Sequence, residues 1–372
     1  MDRETARSGK ALPPASPHSP TRPQKRGQNE IHPASRFAAS GTMGRCQGET
    51  PMNAAPFDST TMLALFLVTT LLALALYNRY RTRRAEREHP PSGRFVTVDG
   101  VRLHYLDQGR GSPVVLLHGN AVTAEDYVLS GVFERAAKVH RVLAFDRPGY
   151  GYSERPLGTL WTASRQAELL HRALRQLGVE RPVIVGHSWG TLVALKMALD
   201  HPDDVAGLVL LGGYYAATVR LDVLAAAPPA IPLLGGALRH TLTPILNGSL
   251  LQLTFKVMFA PLPVPERFRR EFPHQFPLRP LQIRAESQDA VTLIPAVITM
   301  RQRYSELRLP TVIMAGTRDL VVDERHADWL HRRLPGSHLQ LIPEAGHMLH
   351  YAAPGQVVAA IERVAAEAPM PH

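Results

Sequence analysis

The spacing of apolar residues along this chain changes several times, and each change marks an element. From Thr60 to Tyr77 the sequence TTMLALFLVTTLLALALY runs for 18 residues without a charge, a proline or a glycine. A helix of that length spans roughly 27 Å at about 1.5 Å per residue, close to the hydrocarbon thickness of a bilayer. The run predicts one transmembrane helix over 60–77. A core helix would need apolar neighbours, and this run lies between a polar tail and an arginine cluster. A secretory signal would carry its basic residues before the apolar stretch, whereas here they follow it.

From Arg94 the period shortens. Phe95–Val98, Asp99-Gly100 and Val101–Leu106 predict a hairpin closed by an Asp-Gly turn. Val114–Leu117, Val142–Phe145, Val183–Val185, Gly207–Leu211, Thr311–Ala315 and Leu339–Ile342 are short, continuously apolar strands. Helical spacing separates them at Ala124–Ala137, Leu160–Leu177, after Ser188, at Glu324–Leu334 and at Gln356–Ala366. Strands alternating with helices predict a mostly parallel eight-stranded α/β sheet covered by helices on both faces. Between Gly213 and about Leu309 no convincing strand occurs, and Leu242–Phe259 and Pro295–Tyr304 read as helices. An insertion there would lie over the carboxyl edge of the sheet, where open α/β sheets bind ligands, so it is expected to be a lid. The organisation is therefore a disordered tail at 1–59, a membrane helix at 60–77 and a basic juxtamembrane linker at 78–93. A core formed by 94–212 and 310–367 and a lid at 213–309 complete it.

Composition refines this in two places. The tail is rich in Pro, Ser, Gly, Ala and Arg and cannot bury enough surface to offset the entropy of ordering; Met43, Met52 and Met62 offer alternative starts. The net charge of +10 is unevenly placed: residues 77–94 hold six arginines against two glutamates, while 95–372 hold 28 basic and 25 acidic side chains. The globular part is nearly balanced, which gives no support to a nucleic-acid partner. Arg79, Arg81, Arg83, Arg84 and Arg87 directly follow the apolar run, so the positive-inside rule puts the C-terminal side in the cytoplasm. The one cysteine, Cys46, excludes an intrachain disulfide and any cysteine-based metal site.

The chemistry centres on Val183-Ile184-Val185-Gly186-His187-Ser188-Trp189-Gly190. An apolar strand turning sharply into a helix leaves no room for a Cβ at Gly186 or Gly190, and it pushes the apical side chain, Ser188, out of the sheet. The helix N-terminus beside it favours a developing anion. Four motifs in order make the chain resemble the α/β-hydrolase fold superfamily over about 94–367. They are His118-Gly119-Asn120, Asp146-Arg147-Pro148-Gly149-Tyr150-Gly151, the Ser188 pentapeptide, and Gly346-His347. The resemblance implies a nucleophile Ser188, a general acid/base His347 and an orienting acid Asp319 in Gly316-Thr317-Arg318-Asp319. His350 and Asp323 are the nearest rivals, Asp323 being better suited to cap the helix that follows. The loop after the preceding strand, Gly212-Gly213-Tyr214-Tyr215, holds no acid. The backbone N–H groups of Trp189 and Asn120 are the expected oxyanion donors, and the resemblance gives His118 a structural role.

Asn120 with Trp189 also resembles the halide-holding pair of haloalkane dehalogenases, but their nucleophile is a carboxylate, as it is in epoxide hydrolases. The longer glycine-rich loop of proline iminopeptidases is missing. The expected activity is a membrane-anchored serine hydrolase acting on a small apolar ester-like substrate without metal or organic cofactor. Hydrolysis of a C–C bond or cofactor-free perhydrolysis on the same triad are the alternatives, and a non-catalytic binding module is the reading from another class.

Overall fold

The computed structural model describes residues 58–218, 223 and 226–368. The tail expected to be disordered lies, through residue 57, outside them. Eight strands form one sheet: β1 (Arg94–Val98), β2 (Val101–Gln108), β3 (Pro113–Leu117), β4 (Arg141–Phe145), β5 (Val183–His187), β6 (Gly207–Leu211), β7 (Thr311–Gly316) and β8 (His338–Ile342). Their order is β1-β2-β4-β3-β5-β6-β7-β8. The β1–β2 and β2–β4 pairings are antiparallel and all the others are parallel.

The burial pattern explains the composition. β5 and β6 are buried at every residue, as strands covered on both faces must be. Alternate residues divide between two cores. Val115, Leu117, Ile184, Leu208, Leu210 and Ile313 face the helices Ala163–Gln176 and Gly190–Asp200. Val114, Leu116, Val185, Val209, Leu211 and Met314 face the C-terminal helix Pro354–Glu367. At the edge, β1 buries only Val96 and Val98. Its turn residues Asp99 and Gly100 have φ of 50° and 75°, the left-handed pair an Asp-Gly hairpin requires.

Three elements differ from the expectation. The stretch Ala124–Ala137 is two short helices, Glu125–Leu129 and Val132–Ala136. In the insertion, the helix expected at Pro295–Tyr304 instead runs from Pro280 to Met300 with Pro295 inside it. Its buried face includes Gln282, Ile283, Asp289, Leu293 and Val297, and the polar members of that face obscured the helical period. The apolar N-terminal helix runs on past Tyr77, from Ser59 to Glu88. The sequence after Tyr77 consists largely of strong helix formers, and an Arg84–Glu88 pair at 2.7 Å supports the last turn. The apolar half is exposed, and by length and composition this is the one described helix able to cross a membrane.

The insertion between β6 and β7 carries the helices Leu234–His240, Thr243–Phe259, Glu266–Glu271 and Pro280–Met300. Its inner surface is a third core, in which Leu251, Phe255, Met258 and Phe259 meet Val122, Leu129 and Met348. It therefore covers the loops that follow β3 and β8.

Candidate active site

Ser188 stands where β5 turns into the helix Gly190–Asp200. Its φ is 52°, a left-handed conformation that costs a non-glycine residue on the order of 1–3 kcal/mol. A Cβ at Gly186 would lie 2.7 Å from Thr191 Cα, and one at Gly190 would lie 2.3 Å from the Leu117 carbonyl oxygen. The crossing is closed to any side chain at those two places. Ser188 N donates to the Leu211 carbonyl at 2.8 Å, which ties the strained residue to β6.

The loop after β7 brings Asp319 beneath the loop after β8. His347 Nδ1 and Asp319 Oδ2 are 2.8 Å apart. The other carboxylate oxygen accepts N–H bonds from Val321 (2.7 Å) and Val322 (2.9 Å). Asp319 is thus held by three donors and fully buried. Ser188 and His347 line one cavity of about 670 Å³ together with Asn120, Ala121, Leu253 and Val257. Among the described residues the Ser188 hydroxyl has no hydrogen-bond partner, and it faces this shared space.

The rivals sit elsewhere. Asp323 accepts from Arg325 N at 2.8 Å and pairs with the Arg325 guanidinium; those bonds hold its carboxyl at about 2. His350 is buried against Asp126, at 2.8 Å. His187 Nε2 donates to the His347 carbonyl at 3.1 Å. Burial, then the neighbouring His350 and His347, hold His187 well below the ordinary histidine range, so it is neutral. His118 Nδ1 donates to the Gly119 carbonyl at 2.7 Å and its Nε2 accepts Arg147 N–H at 3.0 Å. Burial and the charge of Arg147 lower it to about 4.

Behind Asn120 lies a buried ionic network that the sequence did not reveal. Arg147 Nη1 is 2.6 Å from Asp289 Oδ2, and Arg155 Nη2 is 3.0 Å from Asp289 Oδ1. Arg147 also donates to Asn120 Oδ1 at 2.7 Å, and the Tyr150 hydroxyl lies 2.8 Å from the same oxygen. Trp189 Nε1 donates to the Asp289 carbonyl at 3.0 Å. The loop after β3, the elbow and the insertion are thereby locked to one another. The Trp189 indole N–H is given to the Asp289 carbonyl, so the donor that a halide-holding pair would need from the tryptophan is already in use. The trace the network leaves in the sequence is that Gln282, Asp289 and Leu293 lie seven and four positions apart, a helical spacing of mixed polarity that a search for apolar faces passes over. Two clusters have a spacing suited to a metal ion, Asp126–His187–His350 and Glu168–His171–His201. In the first, both carboxylate oxygens of Asp126 are hydrogen-bonded, by His350 and by the Tyr351 hydroxyl. In the second, His171 bonds Asp204 and His201 bonds Glu168.

A sharp strand–serine–helix turn on an eight-stranded, mostly parallel sheet, with a His–Asp pair on the last two strand ends, defines an α/β hydrolase. Residues 112–354 match the family model for the alpha/beta hydrolase fold, and the chain belongs to that family. It is similar to a 2-hydroxymuconate semialdehyde hydrolase of Pseudomonas putida, at 27% identity over 77% of this chain and 99% of the relative. Among solved structures it resembles an esterase from Exiguobacterium antarcticum, with a TM-score of 0.59 and 23% identity, covering 74% of this chain and 100% of that one. It also resembles a bacterial membrane phospholipase A, with a TM-score of 0.58 and 20% identity over 82% of this chain and 99% of that one. The protein is a hydrolase of this fold.

Proposed function

We propose that the protein is a serine hydrolase that cleaves an ester-like bond in an apolar substrate and is tethered by one membrane-spanning helix. The observation that carries this is the single cavity into which Ser188 and the Asp319-paired His347 both open. His347 takes the Ser188 proton as the oxygen attacks the acyl carbon. The backbone N–H groups of Trp189 and Asn120 hold the oxyanion, and His347 then protonates the departing alcohol. Water, activated by the same histidine, releases the acid. Asp319, already holding three hydrogen bonds, fixes the tautomer that leaves His347 Nε2 facing the serine. Removing one oxyanion donor costs about 3 kcal/mol in comparable enzymes, and the Arg147–Asp289 network keeps that loop rigid.

Hydrolysis of a C–C bond is the second reading, favoured by the similarity to the semialdehyde hydrolase. A muconate-type substrate carries a carboxylate, and among the described residues no Arg or Lys lines the cavity. That lining, rich in Leu250, Leu253, Val257 and Met258, suits an acyl chain better. The exposed apolar run and the five arginines after it support a cytoplasmic catalytic domain.

A fluorophosphonate probe tests the core of the proposal. The protein should label covalently and Ser188→Ala should not. A panel of esters should show preference for medium acyl chains over acetate, and turnover of a dienol diketone without ester turnover would favour the second reading. Digestion of the hydrolase domain by protease added outside right-side-out vesicles would reverse the topology.

A further inference from the structure

The apolar run of the N-terminal helix ends at Tyr77, and the next residue is bound to the insertion. Asn78 is 3% exposed, and its Nδ2 donates to the carbonyls of His240 (3.0 Å) and Thr241 (2.7 Å). One turn later Arg81 bonds Gln275, and Glu86 pairs with Arg279 at 3.1 Å. These bonds hold His240 and Thr241 at the level where the apolar run stops, which for a spanning helix is the membrane surface.

The segment around that point has an unusual surface. Between Val223 and Pro265 there is no acidic residue, and Arg239, His240 and Lys256 are its only ionisable groups. Leu233 is 94% exposed, Leu246 62%, Leu250 57% and Leu253 58%. Leu246, Leu250, Leu253 and Val257 share one face of the helix Thr243–Phe259, and the last three line the cavity that holds Ser188. A single apolar stripe thus leads, over roughly 16 Å of helix, from the end nearest Asn78 to the cavity. Isolated soluble domains rarely leave such a patch uncovered. Its continuity with the apolar run, its lack of acids and the exposed Arg79, Arg83 and Arg87 beside it identify what covers it. An anionic bilayer surface meets all three conditions.

We propose that this outer face of the insertion rests on the bilayer beside the anchor, and that the cavity fills from the lipid phase. The substrate is then an acyl ester resident in the membrane, taken up along the leucine stripe without passing through bulk water. This rests on the serine-esterase, single-pass reading above.

The test uses the full chain in vesicles of phosphatidylcholine with a quarter phosphatidylglycerol. The variant carries Leu233→Gln, Leu242→Gln and Leu246→Gln, three exposed residues outside the cavity. Turnover of a water-soluble butyrate ester should stay within about twofold, while turnover of bilayer-embedded mono-oleoylglycerol falls at least about tenfold. Retention of both overturns the proposal. If both are lost, the variant has misfolded and a second measurement decides. A fluorophore placed by Leu246→Cys in a Cys46→Ser background should be quenched by brominated lipid, while one at Leu341→Cys on β8 should not. Absence of quenching at 246 overturns the proposal, as does a dimer that the glutamines dissociate without loss of oleoyl turnover, which would assign the face to a second copy. A wild-type protein that turns over neither ester sinks the esterase reading and leaves the quenching result to judge the docking face alone.

Discussion

Two histidine–aspartate pairs lie at the end of β8, three residues apart in sequence and identical in length. His347 meets Asp319 at 2.8 Å, and His350 meets Asp126 at 2.8 Å. Both are buried and both use one carboxylate oxygen. The difference lies on the far side of each ring. His347 opens into the cavity with Ser188. The His350 ring packs 4.6 Å from His187 and 5.5 Å from Tyr127, and it is fully buried. A buried histidine–aspartate pair is therefore not in itself a mark of catalysis: on the reading proposed above, what separates the two is that only His347 shares a cavity with Ser188.

The two pairs should differ most visibly in turnover. Ser188→Ala and His347→Ala should each lower kcat/KM for a short ester by about 10⁵-fold or more, with the fold intact by circular dichroism. His350→Ala should keep activity within about tenfold. A dead His350→Ala enzyme that still melts like the parent would exchange the roles of the two pairs.

The acids should separate in the same way. Asp319→Asn keeps the shape but lets the amide impose the wrong histidine tautomer, a change worth about 10⁴-fold in kcat where it has been made in other triads. Asp323→Asn should cost less than about threefold, because its carboxylate serves Arg325 and the helix start. Steady-state kinetics on the two variants settles the assignment, and an active Asp319→Asn would refute it.

Stability should order the pairs in reverse. Asp126 binds both His350 and the Tyr351 hydroxyl (2.8 Å) and joins two short segments 224 positions apart. Removing His350 leaves a buried carboxylate short of a donor, at about 2–3 kcal/mol. For a domain this size that is a fall in Tm of several degrees. His347→Ala, whose ring borders a cavity, should melt within about 2 °C of the parent.

How much of this could be read from sequence follows from how local each feature is. The elbow at Ser188, the Asp-Gly hairpin and the strand-end loops carrying Asp319 and His347 are written in consecutive residues, because turns and strained backbone select their own amino acids. Arg147 and Asp289 are separated by 142 positions, and nothing next to Asp289 announces its partner. Of the helix Pro280–Met300 only the last turns, from Pro295, were legible in the sequence, for a related reason. Its buried face is partly polar because it faces an ionic network, so the periodicity that reveals apolar faces was absent there. The N-terminal helix was legible as far as Tyr77, where hydropathy ends; its continuation to Glu88 rests on helix propensity and an i,i+4 ion pair, which carry no apolar period, and its bonds to the insertion are long-range and unannounced.

A third carboxyl group sharpens the comparison from the opposite side, because no histidine pairs with it. Glu286, on the same helix as Asp289, accepts from Gln282 Nε2 at 3.1 Å. Burial, helped by the nearby charge of Asp289, pushes its carboxyl up to about 7 from an ordinary 4.5. Between those values the folded chain binds a proton that the unfolded chain has released, so stability falls as pH rises through that window. The protonated acid is fully tolerated below about 4.5, and the cost of the buried charge is complete just above 7. Glu286→Gln removes the titration while keeping an acceptor and a donor in place. Its Tm relative to the parent should therefore be higher at pH 8 than at pH 5, by a few degrees for about 1–2 kcal/mol. A Glu286→Gln difference that is the same at both pH values would mean that Glu286 ionises like an ordinary surface acid.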